Sequence, residues 1–219
     1  TSANPHTWAA ALHAAGAAVQ ATDLVIDGGA DNAFCSVRPP GHHATRDQSM
    51  GFCFFNNVAI AAAHALAQTG VGKVAIVDFD VHHGNGTQDI FYGDGKVLYI
   101  STHQYPLYPG TGHRSETGVG NVVNAPLPPG ADGPAFRDAW LAEVLPALDR
   151  FGPGLVIISA GFDGHARDPL AQLRVGAQSL QDALNEGGTL QTGLARYAGQ
   201  APPSAQRAAA HAYAAQVLE

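Results

Sequence analysis

The sequence predicts an α/β protein in which helices cover both faces of a parallel β-sheet. Short apolar segments rich in β-branched residues, such as residues 74–77 and 155–160, have the composition of strands buried on both faces. Longer segments with a helical pattern alternate with them, as expected for parallel strands joined by helices. The 219 residues are enough for one domain with a sizeable core, and they contain no internal repeat or low-complexity linker.

Four segments have the pattern of helices, and most have a start or a stop signal. Asn4 and Pro5 suit the cap and first turn of an Ala-rich first helix, which two glycines then close. Asn56 or Asn57 can cap the second helix, since Asn side chains accept hydrogen bonds from a free first turn. The predicted helices cover about residues 6–27, 56–68, 87–92 and 134–150.

Five apolar segments are predicted to be strands, and polar loops follow most of them. The predicted strands are residues 33–37, 74–77, 97–101, 122–125 and 155–160. Two prolines and a glycine exclude regular structure from residues 38–44, and a Gly- and Pro-rich loop covers 103–121. Residues 196–219 are predicted to form a loop and an amphipathic terminal helix.

Composition and charge exclude several classes of protein. The formal net charge of -7, from 11 basic and 18 acidic residues, argues against nonspecific nucleic-acid binding, which depends on basic surface. Cys35 and Cys53 lie among apolar or small residues, which favours buried free thiols and a reducing compartment. No secretory signal opens the chain, and no run of about 18 apolar residues indicates a transmembrane helix. We therefore expect a cytoplasmic protein without nucleic-acid or membrane partners.

Carboxylate and imidazole side chains cluster where the strands are predicted to end, which is where parallel sheets bind ligands. If the extended backbone continues beyond the apolar segment, Asp78, Asp80 and His82 project to one side of the central strand, because side chains in a strand alternate. Buried carboxylates are unfavourable unless they are paired or bind a metal ion. Together with Asp163 after the last strand, Asp80 and His82 would form an open catalytic metal site. Zinc is expected first, with Fe(II) and Mn(II) left open; a capping Asp and a loop His are the alternative.

Two adjacent histidines, His42 and His43, follow the first predicted strand. One imidazole could take a proton from an attacking water while the other stabilises or protonates a leaving amine. Asp78 is placed to orient one of them, and Asn85 the other. The alternative interpretation is that these are ordinary surface or helix-capping histidines. The aspartates predicted nearby favour the catalytic interpretation.

Five sequence motifs occupy these loops in a fixed order. They are Arg-Pro-Pro-Gly-His-His-Ala at 38–44, Gly-Phe-Cys-Phe-Phe-Asn-Asn at 51–57, the segment 77–88, the loop 103–112 and Ser-Ala-Gly-Phe-Asp-Gly-His at 159–165. Over about residues 1–175 they resemble the zinc-dependent histone deacetylase family, which includes bacterial acetylpolyamine amidohydrolases and acetoin-utilisation proteins. Asn85 and the loop 103–112 look more like its class II branch. The resemblance implies the arginase-like α/β fold, with helices on both faces of the sheet.

The resemblance also implies the chemistry. It makes Asp80, His82 and Asp163 zinc ligands, and His42 and His43 the tandem general base and electrostatic catalyst. It further implies a structural potassium ion near Asp78, Asp80, His82 and Ser101. The implied reaction hydrolyses the acetamide of acetyl-lysine, or of an acetylated polyamine or small amine, to acetate and the free amine.

Three further residues are implied to bind the substrate. By motif position, Gly51 provides a backbone contact, while Phe52 and Tyr108 form the walls of a narrow channel. Two aromatic faces suit the slender aliphatic stem of an acetylated lysine or amine. Ordinary core aromatics are the alternative interpretation of Phe52 and Tyr108.

The chain departs from the family pattern at both ends. Before the point that matches Thr1, relatives have a strand and an acidic rim loop, so we expect residues 1–219 to form one partial domain with a tail from about 190. The segment Glu186-Gly-Gly-Thr189 has threonine where the family has its oxyanion-binding tyrosine, and Tyr197 is another candidate for that role. Loss of one oxyanion donor lowers the rate by ~10²- to 10³-fold. A catalytically impaired relative that binds acetylated amines or a partner without turnover is therefore the alternative function.

Overall fold

The structure, a computed structural model, describes residues 1–176 and 211–215, and it has a parallel β-sheet at its centre. The strands are β1 (Asn32–Phe34), β2 (Val74–Asp78), β3 (Val97–Gln104), β4 (Val122–Leu127), β5 (Leu155–Ala160) and β6 (His211–Ala215). All of the pairs are parallel, and the order across the sheet is β1-β6-β5-β2-β3-β4. The predicted fold class is confirmed, and the strand with the aspartates lies between β5 and β3.

Within the described residues the helices lie where the sequence predicts them, although the last predicted helix is divided in two. They are α1 (Thr7–Ile26), α2 (Asn57–Ala67), α3 (Asn85–Phe91), α4 (Gly133–Ala139) and α5 (Leu145–Phe151). The Asn56 side chain accepts a 3.0 Å hydrogen bond from the Ala59 N–H, so Asn56 is the cap of α2. A π-helical turn, Trp140–Val144, joins α4 to α5, so the single helix expected over 134–150 has one wider turn in its middle.

Two apolar cores cover the two faces of the sheet. Val74 and Ile76 of β2 pack on the face that α2 covers, whereas Ala75 and Val77 pack on the face of α4 and α5. The alternation follows from the two-residue period of a strand. Since every residue of β2 is buried, only its carboxyl end can present side chains to a ligand.

The end of the chain differs from the prediction. A terminal helix was expected within 196–219, but residues 211–215 form β6, which pairs with β1 on one side and β5 on the other. Backbone hydrogen bonds on both sides outweigh the helix propensity of an Ala-rich segment. The strand also fills a place in the sheet for which the sequence offered no clear candidate.

α1 has the length and composition of a membrane-spanning helix, contrary to the expectation from the sequence. Its most apolar window has a mean hydropathy of 1.3, and 39% of that window is buried. This is weak evidence for a membrane span, because a core helix of a soluble protein passes the same test. Buried alanines along α1, including Ala11, Ala14 and Ala18, form one packed side of the helix.

Candidate active site

Asp80, His82 and Asp163 converge beyond the carboxyl ends of β2 and β5. One ligand atom from each lies within 4.8 Å of the other two, and both aspartates are buried. His82 Nδ1 is 3.1 Å from Asp80 Oδ1 and 2.9 Å from Asp163 Oδ2. The Val81 N–H donates to Asp163 Oδ1 at 3.0 Å and so fixes one carboxylate against the turn that carries the other two ligands.

The charges of this cluster fit a divalent cation. Burial and the nearby Asp80 carboxylate raise the pKa of Asp163. Burial lowers the pKa of His82, but the nearby Asp163 and Asp80 carboxylates outweigh it and raise that pKa to about 10. Asp163 Oδ2 is buried and, despite its closeness to His82, makes no hydrogen bond of good geometry. Two crowded carboxylates with one unsatisfied oxygen, beside an imidazole, are the donor set of a site for zinc, iron or manganese.

A glycine permits this convergence. A Cβ added to Gly161, directly after β5, would lie 2.1 Å from Asp80 Oδ2 and 2.7 Å from Asp80 Cα. Since real Cβ atoms essentially never approach within 3.0 Å of another atom, only glycine lets the two strand ends come this close.

His42 and His43 lie side by side at the base of the same site, and both are buried. Their ring centroids are 4.0 Å apart. His42 Nδ1 is 3.0 Å from Asp78 Oδ2, and His43 Nδ1 is 2.8 Å from Asn85 Oδ1. Because both partner atoms are acceptors, each Nδ1 carries the hydrogen, which leaves the Nε2 of a neutral ring as an acceptor.

The two histidines have opposite electrostatic environments. Burial lowers the pKa of His42, but the Asp78 and Asp80 carboxylates outweigh it and raise that pKa to about 9. Burial, followed by the adjacent His42, lowers the pKa of His43 to about 2. A cationic ring thus lies beside a neutral one, an arrangement that can stabilise negative charge and accept a proton at neighbouring points.

Asp78, the last residue of β2, lies opposite Ser101 in the middle of β3. The Ser101 hydroxyl is hydrogen-bonded to His103 Nδ1 at 2.9 Å, and the Asp78 carboxylate also accepts hydrogen bonds from Tyr99 and from the Asp80 N–H. The potassium ion expected near these residues stays a prediction.

A cavity of about 420 Å³ opens above the histidines. All of the residues predicted to catalyse or to bind the substrate line it, namely His42, His43, Gly51, Phe52 and Tyr108, together with His82. The Phe52 side chain is 71% exposed and Tyr108 is 46% exposed, so neither is an ordinary core aromatic. The Tyr108 ring centroid is 5.2 Å from that of His43, close above the candidate reaction centre.

The backbone at Gly51 and Phe52 is unusual. Both residues have positive φ angles, 55° and 64°, and a Cβ on Gly51 would lie 2.2 Å from His43 Cδ2. A positive φ in a bulky residue such as Phe is rare and is found mainly at functional sites. The strained turn aims Phe52 at solvent along the wall of the cavity.

Sequence reasoning missed several residues of the cavity. Leu170 and Phe54 line it, as do Arg38 and the beginning of α1. A single leucine in a loop resembles any core leucine, and only the folded chain shows that Leu170 is 54% exposed at the mouth. Thr189 and Tyr197, the two candidates for the oxyanion donor, lie outside the described residues.

Comparison with known proteins agrees with this architecture. The sequence model of the histone deacetylase domain matches residues 1–195. The chain is 47% identical over 182 residues to a histone deacetylase-like amidohydrolase of Pseudomonas aeruginosa, covering 81% of this chain and 48% of that protein. It is 44% identical over 178 residues to a probable deacetylase of Archaeoglobus fulgidus, covering 80% and 49% of the two proteins. The chain thus spans about half the length of these curated relatives.

Solved structures show the same fold. The crystal structure of the HDA15 HD domain superposes with a TM-score of 0.87 at 38% identity, covering 99% of this chain and 60% of that one. An acetylpolyamine aminohydrolase from Burkholderia pseudomallei gives a TM-score of 0.83 at 36% identity, covering 98% and 59%. The resemblance predicted from the sequence motifs is confirmed, and the chain belongs to the histone deacetylase family.

Proposed function

We propose that this protein is a metal-dependent deacetylase that hydrolyses the acetamide of acetyl-lysine, or of an acetylated polyamine or small amine, to acetate and the free amine. The observation that carries the proposal is the convergence of Asp80, His82 and Asp163 with the His42–His43 pair at the base of one cavity. Membership of the histone deacetylase family supports the same reaction class.

Asp80, His82 and Asp163 would hold the metal ion, with zinc proposed first and Fe(II) or Mn(II) compatible with the same donors. When bound, such an ion polarises the acetamide carbonyl and makes water beside it more acidic. Asp78 and Ser101, with Asp80 and His82, are the proposed surroundings of a structural potassium ion.

His43 and His42 would divide the proton chemistry. His43 presents the acceptor Nε2 because its Nδ1–H is bound to Asn85, so it is placed to take the proton of the attacking water. His42, held by Asp78, would stabilise the negative charge that develops on the carbonyl oxygen. The proton on His43 then passes to the amine nitrogen as the C–N bond breaks.

Phe52, Tyr108 and Leu170 would form the walls that receive the substrate stem. All three line the cavity and are partly exposed, so an aliphatic chain can pack against them while its amide reaches the histidines. The Gly51 backbone would contact the same stem. Burial of the stem would orient the acetamide before reaction.

A catalytically impaired binding protein is the second candidate function. It is favoured by one observation, the threonine in Glu186-Gly-Gly-Thr189 at the position of the family's tyrosine. Threonine has a hydroxyl but a much shorter side chain, and loss of one oxyanion donor lowers the rate by ~10²- to 10³-fold. Such a protein would bind acetylated amines or a partner without turnover.

Hydrolysis of a fluorogenic acetyl-lysine amide by purified, zinc-loaded protein separates the two functions. For a deacetylase we expect turnover that His43→Ala abolishes and that Thr189→Tyr increases. An absence of turnover in folded wild-type protein with zinc bound would overturn the proposed activity and favour the binding protein.

A further inference from the structure

Gln104 lies where three parts of the cavity wall meet. It is the last residue of β3, and only 1% of its surface is exposed. Its backbone N–H donates to the Val81 carbonyl oxygen at 2.8 Å. Because Val81 stands between Asp80 and His82, this bond joins the end of β3 to the turn that carries two candidate metal ligands.

The Gln104 side chain uses both of its polar atoms on a single partner. Its Oε1 accepts a 2.8 Å hydrogen bond from the Gln172 N–H, and its Nε2 donates to Gln172 Oε1. Gln172 lies on the surface two residues after Leu170, and the next residue, Leu173, is buried in the core. The reciprocal amide pair therefore fixes the segment that carries Leu170 to the end of β3.

The chain that follows Gln104 forms the other wall of the cavity. The Tyr105 N–H donates to the Leu127 carbonyl oxygen at 2.9 Å, so the chain leaves the sheet from a fixed point. Tyr108 comes three residues later and extends over His43. Tyr108 and Leu170 thus belong to separate segments that the Gln104 side chain joins. Backbone hydrogen bonds from Gly130 to Gln172 and from Arg174 to Ala131 also hold the Leu170 segment to the loop after β4.

We propose that Gln104 is a positioning residue for the substrate channel: its amide pair with Gln172 sets the separation between the wall of Tyr108 and the wall of Leu170. The inference rests on the proposed function, in which that channel receives the stem of an acetylated amine. The catalytic histidines are held independently, by Asp78 and Asn85. Loss of the amide pair should therefore weaken substrate binding more than it slows the chemical step.

Variants of the surface partner test this with little risk to folding. Gln172→Ala removes the acceptor for Gln104 Nε2, whereas Gln172→Glu keeps an acceptor at the same reach. Gln104→Met removes the whole pair with little change in side-chain length. Gln20→Ala, an exposed glutamine of α1 that does not line the cavity, is the matched control.

Steady-state kinetics with the fluorogenic acetyl-lysine amide give the first readout. We expect Gln172→Ala and Gln104→Met to raise KM by about fivefold to tenfold with kcat within about twofold of wild type, which is the scale of one or two lost hydrogen bonds. Gln172→Glu and Gln20→Ala should keep the wild-type KM. An unchanged KM in Gln172→Ala, or a fall in kcat without a rise in KM, would overturn the inference.

Amide hydrogen exchange gives a readout that needs neither metal nor turnover. Peptides that cover residues 168–176 should exchange faster in Gln172→Ala and Gln104→Met than in wild type and Gln20→Ala. If the wild-type protein shows no turnover, the proposed activity fails while exchange still decides whether the pair holds this segment. Equal exchange in all of the variants would refute the role of Gln104.

Discussion

Substitution of Gly161 by alanine should disable the candidate metal site without unfolding the protein. The new Cβ would lie 2.1 Å from Asp80 Oδ2, and contacts closer than 3.0 Å essentially do not occur. The Asp80 carboxylate must therefore move by about 0.9 Å. Movement by rotation of the side chain alone is hindered, because the Cβ would also lie 2.7 Å from Asp80 Cα.

A displacement of this size is large for a metal ligand, whose distances are fixed to within about 0.2 Å. We expect zinc affinity to fall by about 10- to 100-fold, the scale of damage to residues that orient ligands, and turnover by about 10²-fold. Competition with a chromophoric chelator measures the zinc affinity, and hydrolysis of the acetyl-lysine amide measures the turnover.

Gly164→Ala is the control in the same loop. Its Cβ would meet Leu173 Cδ1 at 3.8 Å, an ordinary van der Waals contact, so affinity and turnover should stay near wild type. Zinc binding by Gly161→Ala that matched both wild type and Gly164→Ala would refute the packing explanation of the site.

Three further outcomes follow from the structure. Asp78→Asn should lower kcat by roughly 10²-fold with a small change in KM, since it removes the charge 3.0 Å from His42; unchanged kcat would contradict this. Removal of metal by a chelator should lower the unfolding temperature, because an ion that binds only the folded chain stabilises it, and zinc should restore it. Burial raises the pKa of Glu116, but hydrogen bonds from Gln88 and the His113 and Gly112 N–H groups outweigh it and lower that pKa. The Glu116 carboxylate stabilises the folded protein above its ordinary pKa of 4.5, and this stabilisation is lost as the pH falls through the lowered pKa of the folded state. The free energy of unfolding that Glu116→Gln loses relative to wild type, measured with denaturant, should therefore become smaller as the pH drops below 4.5. A difference in free energy of unfolding between wild type and Glu116→Gln that stays constant with pH would contradict this role of Glu116.

Local signals in the sequence were enough to predict the strands and helices in the central part of the fold. The segment 155–160, apolar except for Ser159, is β5 residue for residue, because a strand buried on both faces is mostly apolar. The sequence predicted a cap at Asn56 or Asn57 from the side-chain type, and Asn56 is the cap. By contrast, β3 continues to Gln104 through three buried polar residues, and the last of them, Gln104, bonds Gln172 far along the chain.

The candidate site was predictable where several residues share one segment. The strand was expected to continue through His82, but β2 ends at Asp78, and Asp80 and His82 lie in the turn that follows. Their closeness to one another still follows from their positions in the sequence, since Asp78 and His82 are only four positions apart. Leu170 and Gln104 carry no such signal, since their places depend on contacts between segments that only the folded chain brings together. The strand β6 was missed for the same reason, because its pairing with β1 and β5 decides its conformation.

Acetate release during titration of metal-stripped protein with zinc is the most direct test of a metal-dependent deacetylase at this site. We expect turnover to rise from zero to a plateau at about one ion per chain, as one cluster of Asp80, His82 and Asp163 requires. Asp80→Asn protein, titrated in parallel, should stay inactive. Turnover that survives metal removal, or that is absent at every zinc concentration in folded wild-type protein, would contradict the proposed chemistry.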